Sequence, residues 1–536
     1  GTHPKRRLEA LQHAVREKDL FAQIASMALG QWDLVEEAVL LGAVESVDCY
    51  TADAPLMLVA LLGMVYRWGD QPGFPESVTE ALKQSVMAWQ GWERVPGFSG
   101  IDVSDEGTQI LLHTGEHLVG QLLPDSLFSA SGQTGDWHRD RGGRRARKWL
   151  RQRGTTGFAA WDSPSVFEMM LVALSHLMDL SESEPLWQLV TVMMDKLLFT
   201  IGLNAYQGVL GATQGVADAE TVRGGLLTSV AGVTRLLWGQ GIYNHHLAGV
   251  VSLACMEDYQ VPPLVPEIAA AQFEEVWNRE GHVTREDQTI SKVTYRTPDY
   301  MLASVQNYRA GELGDREHIW QATLGPEAIV YTTHPASLGL SKGHAPGFWL
   351  GNATLPRVAQ WKDVLIALYD VPEDDWMGYT HAYFPVYAFD AHVVRKSSSG
   401  QLWAFGRKGD GYVALTASQG MTLIKKEPGA YRELRSFGTP AVWCCQMGRA
   451  ALDGDFEAFQ ERILTQTLSF DGLSVVFETL RGETLSFGWD EPFLRDGEEL
   501  PLVTTEHYDN PYCRSEFGAQ EMEIRSQNYL MRLDFS

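Results

Sequence analysis

Cysteine is scarce in this chain. Five occur in 536 residues: Cys49, Cys255, Cys444, Cys445 and Cys513. An odd number at irregular spacing argues against a disulfide framework, and no CxxC pair offers a zinc site. That usage fits a reducing compartment. No apolar run reaches the roughly 18 residues that a membrane span needs, so no transmembrane helix is expected. The opening residues, Gly1 to Arg7, lack an apolar signal core. No initiator methionine is visible, so a cytoplasmic location and export with a removed signal both stay open. Basic residues are outnumbered, 43 Lys and Arg against 68 Asp and Glu, for a formal net charge of -25. That balance disfavours a nucleic-acid partner, and an anionic ligand would need a locally positive cleft. Glycine-rich phosphate loops and a GxSxG elbow are absent. His318, His334, His344 and His381 follow no compact metal-ligand spacing. No metal site and no required cofactor are expected, and a structural metal ion is the one such group left open.

The mixture of 45% hydrophobic and 21% charged residues is that of a globular protein. The length exceeds one ordinary core, so two or more domains are expected. The first half reads as helices over residues 7–29, 31–41, 55–68, 75–89, 108–123, 143–153, 164–180, 184–201, 221–238, 245–259 and 266–279. Phe167, Met170, Leu171, Leu174 and Met178 show the spacing that underlies these assignments. Proline, glycine and Ser-Asp punctuation separates the segments. Near Gly281 the pattern changes. Strand-like runs follow at 289–294, 328–333, 364–369, 383–389, 402–405, 412–417 and 473–478, with one helix at 455–468. Helices first and strands second imply an α+β chain with separate layers. The expected division is a helical domain over 1–280, its hairpins packed in a ring or stack, and an antiparallel β-domain over 281–536.

The chain holds 17 Trp. Flat aromatic rings stack on the apolar faces of sugars, although most large aromatics simply fill cores. Trp161 and Trp349 stand out because glycine and polar residues surround them. Three helix entrances concentrate polar groups. One spans residues 102–109 and includes Asp102, Asp105 and Glu106, with His113, Glu116 and His117 on the helix behind it. The second is Trp161-Asp162-Ser163-Pro164, with Glu168 behind. The third is Tyr243-Asn244-His245-His246. A helix amino end attracts anions through its unpaired N–H groups and its dipole. Plain capping by Ser163 and Asn244 explains the same residues without a ligand. The Arg-rich stretch from Arg139 to Arg153 would attract an acidic polymer or form a solvated helix face.

Several strings occur together: Gln109-Ile-Leu-Leu-His-Thr-Gly-Glu116, Gly157-Phe-Ala-Ala-Trp-Asp-Ser163, Tyr300-Met-Leu-Ala-Ser304, Glu317-His-Ile-Trp-Gln-Ala-Thr-Leu324, Pro346-Gly-Phe-Trp-Leu-Gly-Asn352 and Phe405-Gly-Arg-Lys-Gly-Asp-Gly-Tyr412. Over roughly residues 100–415 the chain resembles the heparinase II/III-like polysaccharide lyases. The resemblance implies an incomplete (α/α) toroid over a large antiparallel β-sandwich, with the cleft between them. It implies β-elimination on uronic-acid polysaccharides. A donor such as Asn neutralises the C5 carboxylate, Tyr or His removes the C5 proton, and Tyr protonates the leaving oxygen. The chain departs from that pattern. Gly107-Thr108 stands where relatives often carry Asn-His, relatives often carry Asn and Tyr near Pro164 and Val166, Gln214 lies near a usual His, and no HxH pair surrounds His318.

The leading expectation is therefore a lyase. Asn244 would contact the uronate, His245 and Tyr243 would serve as base and acid, and His318 would contribute from the β-half. Trp161, Glu106, Gln214, Trp349 and Asn352 would bind substrate. The second expectation is a glycoside hydrolase on the same scaffold, with a pair drawn from Asp102, Asp105, Glu106, Asp162 and Glu168. The third is a non-catalytic carbohydrate-binding relative. All three expect a polysaccharide or oligosaccharide partner, no nucleic acid and no membrane, and leave a homo-oligomer open.

Overall fold

The computed structural model describes residues 3–256, 259–270, 273–283, 288–338 and 345–536, so His344 lies outside the described residues. Twelve α-helices come first: α1 (His3–Ala14), α2 (Leu20–Ala28), α3 (Glu37–Asp48), α4 (Ala54–Trp68), α5 (Glu76–Ala88), α6 (Glu106–Leu122), α7 (Gly135–Thr156), α8 (Pro164–Leu180), α9 (Glu184–Leu203), α10 (Ala231–Trp238), α11 (Ala248–Ala254) and α12 (Leu264–Ala269).

Their sequences sort them into two layers. Helices α2, α4 and α8 are apolar on most sides and become stable only when surrounded. They form an inner ring with α6 and α11: α2 packs on α4, α4 on α6, α6 on α8, α8 on α11, and α11 back on α2. Outside lie more amphipathic helices, with α3 on α4, α7 on α6, α9 on α8 and α10 on α11. This is an incomplete helical toroid. Three inner helices carry side-chain caps. Asp19 accepts from Ala22 N, Asp105 from Thr108 N and Ser163 from Val166 N. Each cap satisfies an amide that a helix start leaves orphaned.

Antiparallel sheets dominate the second half, which makes the chain α+β. One sheet has ten strands, in the order 422–423, 433–437, 379–383, 329–333, 320–323, 301–305, 289–296, 276–283, 506–509 and 514–516. A six-stranded sheet runs 357–361, 364–369, 441–449, 411–417, 402–408 and 391–396. Alternation decides which side chains meet. Leu365, Ala367 and Tyr369 turn towards Leu302 and Val330 of the larger sheet, and the Tyr369 hydroxyl meets Thr332 Oγ1 (2.8 Å). Ile366 and Leu368 turn the other way, onto helix Phe456–Thr465 and the five-stranded sheet that carries Phe477, Leu485 and Phe487.

The other face of the larger sheet meets the helices, and it is polar. Along the hairpin Val276–Val283 and Thr289–Arg296, Asn278, Glu280 and His282 pair with or neighbour Lys292, Thr294 and Arg296 on one face. All six are buried. Glu280 accepts from Lys292 (3.1 Å), Asn204 (2.9 Å) and Asn278 (2.7 Å). Burial works against the charge on Glu280, but the adjacent Lys292 ammonium holds its carboxyl well below the usual range. Arg296 clamps the carbonyls of Gly202, Ala205 and Ile268 at the ends of α9 and α12. The last stretch of chain returns to the helices: Tyr508, Met522, Ile524, Leu533 and Phe535 belong to the helical core.

Several expected elements are corrected. The helix expected over 7–29 is two, since Asp19 caps a new start. Residues 245–259 shrink to α11, and 221–238 to two 3₁₀ turns and α10. The helix expected over 266–279 ends at Ala269, and Val276–Val283 is a strand; its alternating buried and polar positions have period two. At 383–389 the strand lies instead at Tyr379–Tyr383.

Candidate functional site

The chain between α7 and α8 is pinned from every side. Gly157 has a φ of +80°, and a Cβ there would lie 2.1 Å from His282 Nδ1, so only glycine fits. Phe158 N–H donates to His282 Nδ1 (3.0 Å), which leaves the His282 Nε2–H to donate to Glu280 (2.9 Å). Ala160 N–H donates to Glu106 Oε1 (2.6 Å), and Arg153 pairs with the other oxygen of that carboxylate. Trp161 Nε1 donates to Thr213 Oγ1 (3.1 Å), and Gly215 N–H to Trp161 O (2.8 Å). Ser163 Oγ donates to Val216 O (2.7 Å) as it caps α8.

The β-half approaches through segment 306–318. Gln214 and His318 exchange backbone hydrogen bonds (3.1 and 2.8 Å), and Ala217 N–H donates to Arg316 O (2.9 Å), so a loop of the helical half adds a short strand here. Tyr308 lies between two left-handed residues, Asn307 and Arg309, both with φ of 45°. Non-glycine residues in that conformation cost of order 1 kcal/mol or more each and persist where the surroundings hold them. The Tyr308 ring meets Trp161 edge-to-face, 5.4 Å between centroids. Its hydroxyl hydrogen-bonds the Arg309 guanidinium, which also holds Glu312 (3.0 Å).

Between these two walls lies a cleft of about 290 Å³, lined by Asp102, Asp105, Trp161, Gly215, Tyr308, Arg309, Asp315, Arg316 and Glu317 among others. Arg316 pairs with Asp218 and donates to Ala217 O (2.9 Å). Glu317 is 8% exposed, and burial raises its carboxyl above the usual range even though it accepts from Asp315 N (2.6 Å). Asp102 holds Ser104 (2.5 Å), and Asp105 is the cap of α6.

The sequence-expected residues distribute as follows. Trp161 lines the cleft, but it is 2% exposed and forms its floor rather than a free platform. Glu106 lies behind it, buried, and positions the Trp161 loop. Asp162, with φ of 49°, turns inward to pair with Lys292. Burial pushes Asp162 up, Lys292 pulls it back, and one carboxylate oxygen has no partner among the described residues. Glu168 is half-buried, accepts from Gly249 N (3.3 Å) and is pushed up to about 8 by burial. The same contact brings the starts of α8 and α11 together. Asn244 spends its side chain on the carbonyls of Leu226 and Thr228 (2.9 Å each) and on His246 N (2.9 Å). His245 is exposed and its ring lies 4.2 Å from that of His246, which faces the carboxylates of Asp218 and Glu220. Neither Asn244 nor His245 lines the cleft at Trp161. Tyr243 donates to Arg6 O (3.0 Å), towards α1.

On the β side, His318 is buried, accepts from or donates to Gln321 (2.8 Å), and is pushed down to about 4 by burial. Gln214 is buried beside it. Trp349 is buried on the face of the larger sheet turned away from the six-stranded sheet, stacked on His381 at 4.3 Å. Asn352 is buried and accepts from His334 N (2.9 Å). Tyr308, Arg309 and Arg316 were missed by sequence reasoning. Among the described residues no group of three or more His, Cys, Asp or Glu could hold a metal ion.

Comparison with known proteins gives distant likenesses only. No family model matches, and no curated protein matches. Two solved structures are similar in outline. One is a crystal structure of heparinase III, with 8% identity and a TM-score of 0.38, covering 81% of this chain and 74% of that one. The other is a second heparinase III gene product, with 11% identity and a TM-score of 0.32, covering 88% and 77%. The fold class rests on the chain's own elements.

Proposed function

We propose that the chain cleaves a uronate-containing polysaccharide by β-elimination in the cleft between Trp161 and Tyr308. The observation that carries this reading is the Tyr308 hydroxyl held beside the Arg309 guanidinium at a water-accessible junction of the two halves. A C5 proton becomes removable only when the adjacent carboxylate is neutralised. Arg309 or Arg316 supplies that neutralisation. Tyr308, beside the Arg309 guanidinium, takes the C5 proton. The C5–H electron pair forms the C4–C5 double bond, the C4–O bond breaks, and the phenol returns its proton to the leaving oxygen. Trp161 fixes the Tyr308 ring from below.

A second reading, hydrolysis, has its own observation. Asp102, Asp105, Asp315 and Glu317 share the lining, and a carboxyl raised by burial, as in Glu317, is the property of a general acid. Both arginines already hold carboxylates, Glu312 and Asp218. Incubation with a panel of uronate and neutral polysaccharides separates the readings. Ultraviolet absorbance of an unsaturated end together with new reducing ends is the outcome expected. New reducing ends without absorbance give hydrolysis. Binding with neither gives a non-catalytic carbohydrate-binding protein.

A further inference from the structure

The most basic element of this acidic chain is α7. It carries Arg139, Arg141, Arg144, Arg145, Arg147, Lys148, Arg151 and Arg153 in a sequence of net charge -25. Part of that charge is neutralised within the fold. Arg141 holds Glu93 (2.7 Å) and Glu116 (2.6 Å), Arg153 holds Glu106, Arg139 holds Asp140 (3.1 Å), and Arg145 reaches Glu116 at 3.5 Å. Arg144, Arg147, Lys148 and Arg151 have no acidic partner among the described residues. They stand at i, i+3, i+4 and i+7, which places them in one stripe. Arg144, Lys148 and Arg151 are exposed and Arg147 is half-buried.

An ordinary solvated helix mixes signs so that i,i+4 neighbours attract. Here Arg144 and Lys148, and likewise Arg147 and Arg151, are like-charged i,i+4 pairs. Among the described residues no ion pair of these four side chains offsets that repulsion. The stripe opens onto a groove of about 440 Å³ between α7 and the far end of α6, lined by Arg144, Arg147, Gln121 and Ser183, with Asp140 and Glu182 as its acidic members. The stripe also has a direction. Gly142 packs against the backbone of His117, and Arg153 pairs with Glu106, so α7 runs antiparallel to α6. Passing from Arg144 to Arg151, about 10 Å at the helical rise, leads towards the end where Glu106 holds the Trp161 loop.

We propose that this stripe and groove bind an anionic polysaccharide, a polymer with repeating carboxylate or sulfate groups, outside the cleft. The choice of a glycan over another polyanion rests on the glycan reading of the cleft. Charge complementarity supports it: in a chain of net charge -25, four basic side chains without acidic partners among the described residues share one stripe. Arginine's fork suits planar carboxylate and sulfate groups.

The test is calorimetric binding of the full chain to polygalacturonate, chondroitin sulfate, neutral dextran and polyglutamate, at about 0.05 M and about 0.3 M NaCl. The variant is Arg144→Ser/Arg147→Ser/Lys148→Ser/Arg151→Ser, which touches no cleft residue and leaves every internal ion pair intact. The expected result is salt-sensitive binding of the two anionic glycans, weakened about tenfold or more in the variant at an unchanged melting temperature. Dextran binding should not change. Equal binding by wild type and variant, or no binding of either anionic glycan, overturns the proposal. Polyglutamate bound as tightly as polygalacturonate overturns the assignment to a glycan. Binding needs no turnover, so the stripe and the cleft are judged separately. Anionic glycan bound through the stripe but never cleaved would sink the lyase reading and leave this one standing.

Discussion

At the scale of single residues, two side chains separate chemistry from packing. Tyr308→Phe removes one hydroxyl from the cleft and keeps the edge-to-face contact with Trp161. A proton-transferring group accounts for about 10²- to 10⁴-fold in rate, so turnover should fall at least about a hundredfold while the melting temperature holds. Unchanged turnover on a polysaccharide that the wild type cleaves would remove Tyr308 from the mechanism. His318 should behave in the opposite way, as a stability residue. Burial holds it at about 4, below the 6.5 of an unfolded chain. Between those values the unfolded chain binds a proton that the folded one does not, so this contribution is full above about 6.5 and fades as pH falls towards 4. It is at most about 3 kcal/mol. Urea midpoints of wild type and His318→Gln at several pH values check this: the variant's profile should be flatter across that window.

These residues also show what could be read from sequence. Trp161 was visible because Gly157, Ser163 and Pro164 punctuate its loop and mark a helix entrance. Tyr308 was not, since Asn307 and Arg309 adopt left-handed backbone without the glycine that usually announces it. Lys292 sits in a strand and was not singled out from the sequence. Only the packing of the hairpin against α9 shows that it is buried. His318 and Asn352 have the polar surroundings of a binding segment, and their side chains bond Gln321 and His334 N instead, while the buried Trp349 indole N–H has no partner among the described residues.

At the scale of elements, long periodic helices such as α8 and α9 were legible, while short ones were not. α11 and α12 have fewer than eight residues each, too few turns for periodicity to fix their ends. Helix α6 links an element to the site. Its first residue, Glu106, accepts from Ala160 N with one oxygen and pairs with Arg153 through the other. Glu106→Gln keeps an acceptor for Ala160 and loses the ion pair. Glu106→Leu loses both. Gln should therefore lower the unfolding free energy, by about 3 kcal/mol given the buried partner, with little change in KM. Leu should lower stability and raise KM as well, because the Trp161 loop loses its anchor. Equal KM values for the two variants would show that the loop is held by Thr213 and Gly215 alone.

At the scale of the whole molecule, helices and sheets are joined through buried charge as well as through the apolar surface of the returning chain. Lys196 donates to Arg153 O (3.1 Å), Gly154 O (2.7 Å) and His507 Nε2 (2.7 Å), tying α9 to the end of α7 and to the returning chain. Burial pushes that ammonium down to about 7. Lys292 does the same between Asp162 and Glu280, each buried to within 1% of full. Such a junction is expensive to break at one member and cheap to replace whole. Lys292→Met leaves two carboxylates buried without their cation, which should cost about 3–5 kcal/mol. Adding Asp162→Asn and Glu280→Gln removes the charges that Lys292 served and should recover most of the loss. Urea unfolding of wild type, single and triple variants measures both. A single variant within about 1 kcal/mol of wild type would mean that the carboxylates take up protons or water at no cost, and that the junction is held by Arg296 and the apolar tail instead. A triple variant no better than the single would mean that the three residues do not act as one unit.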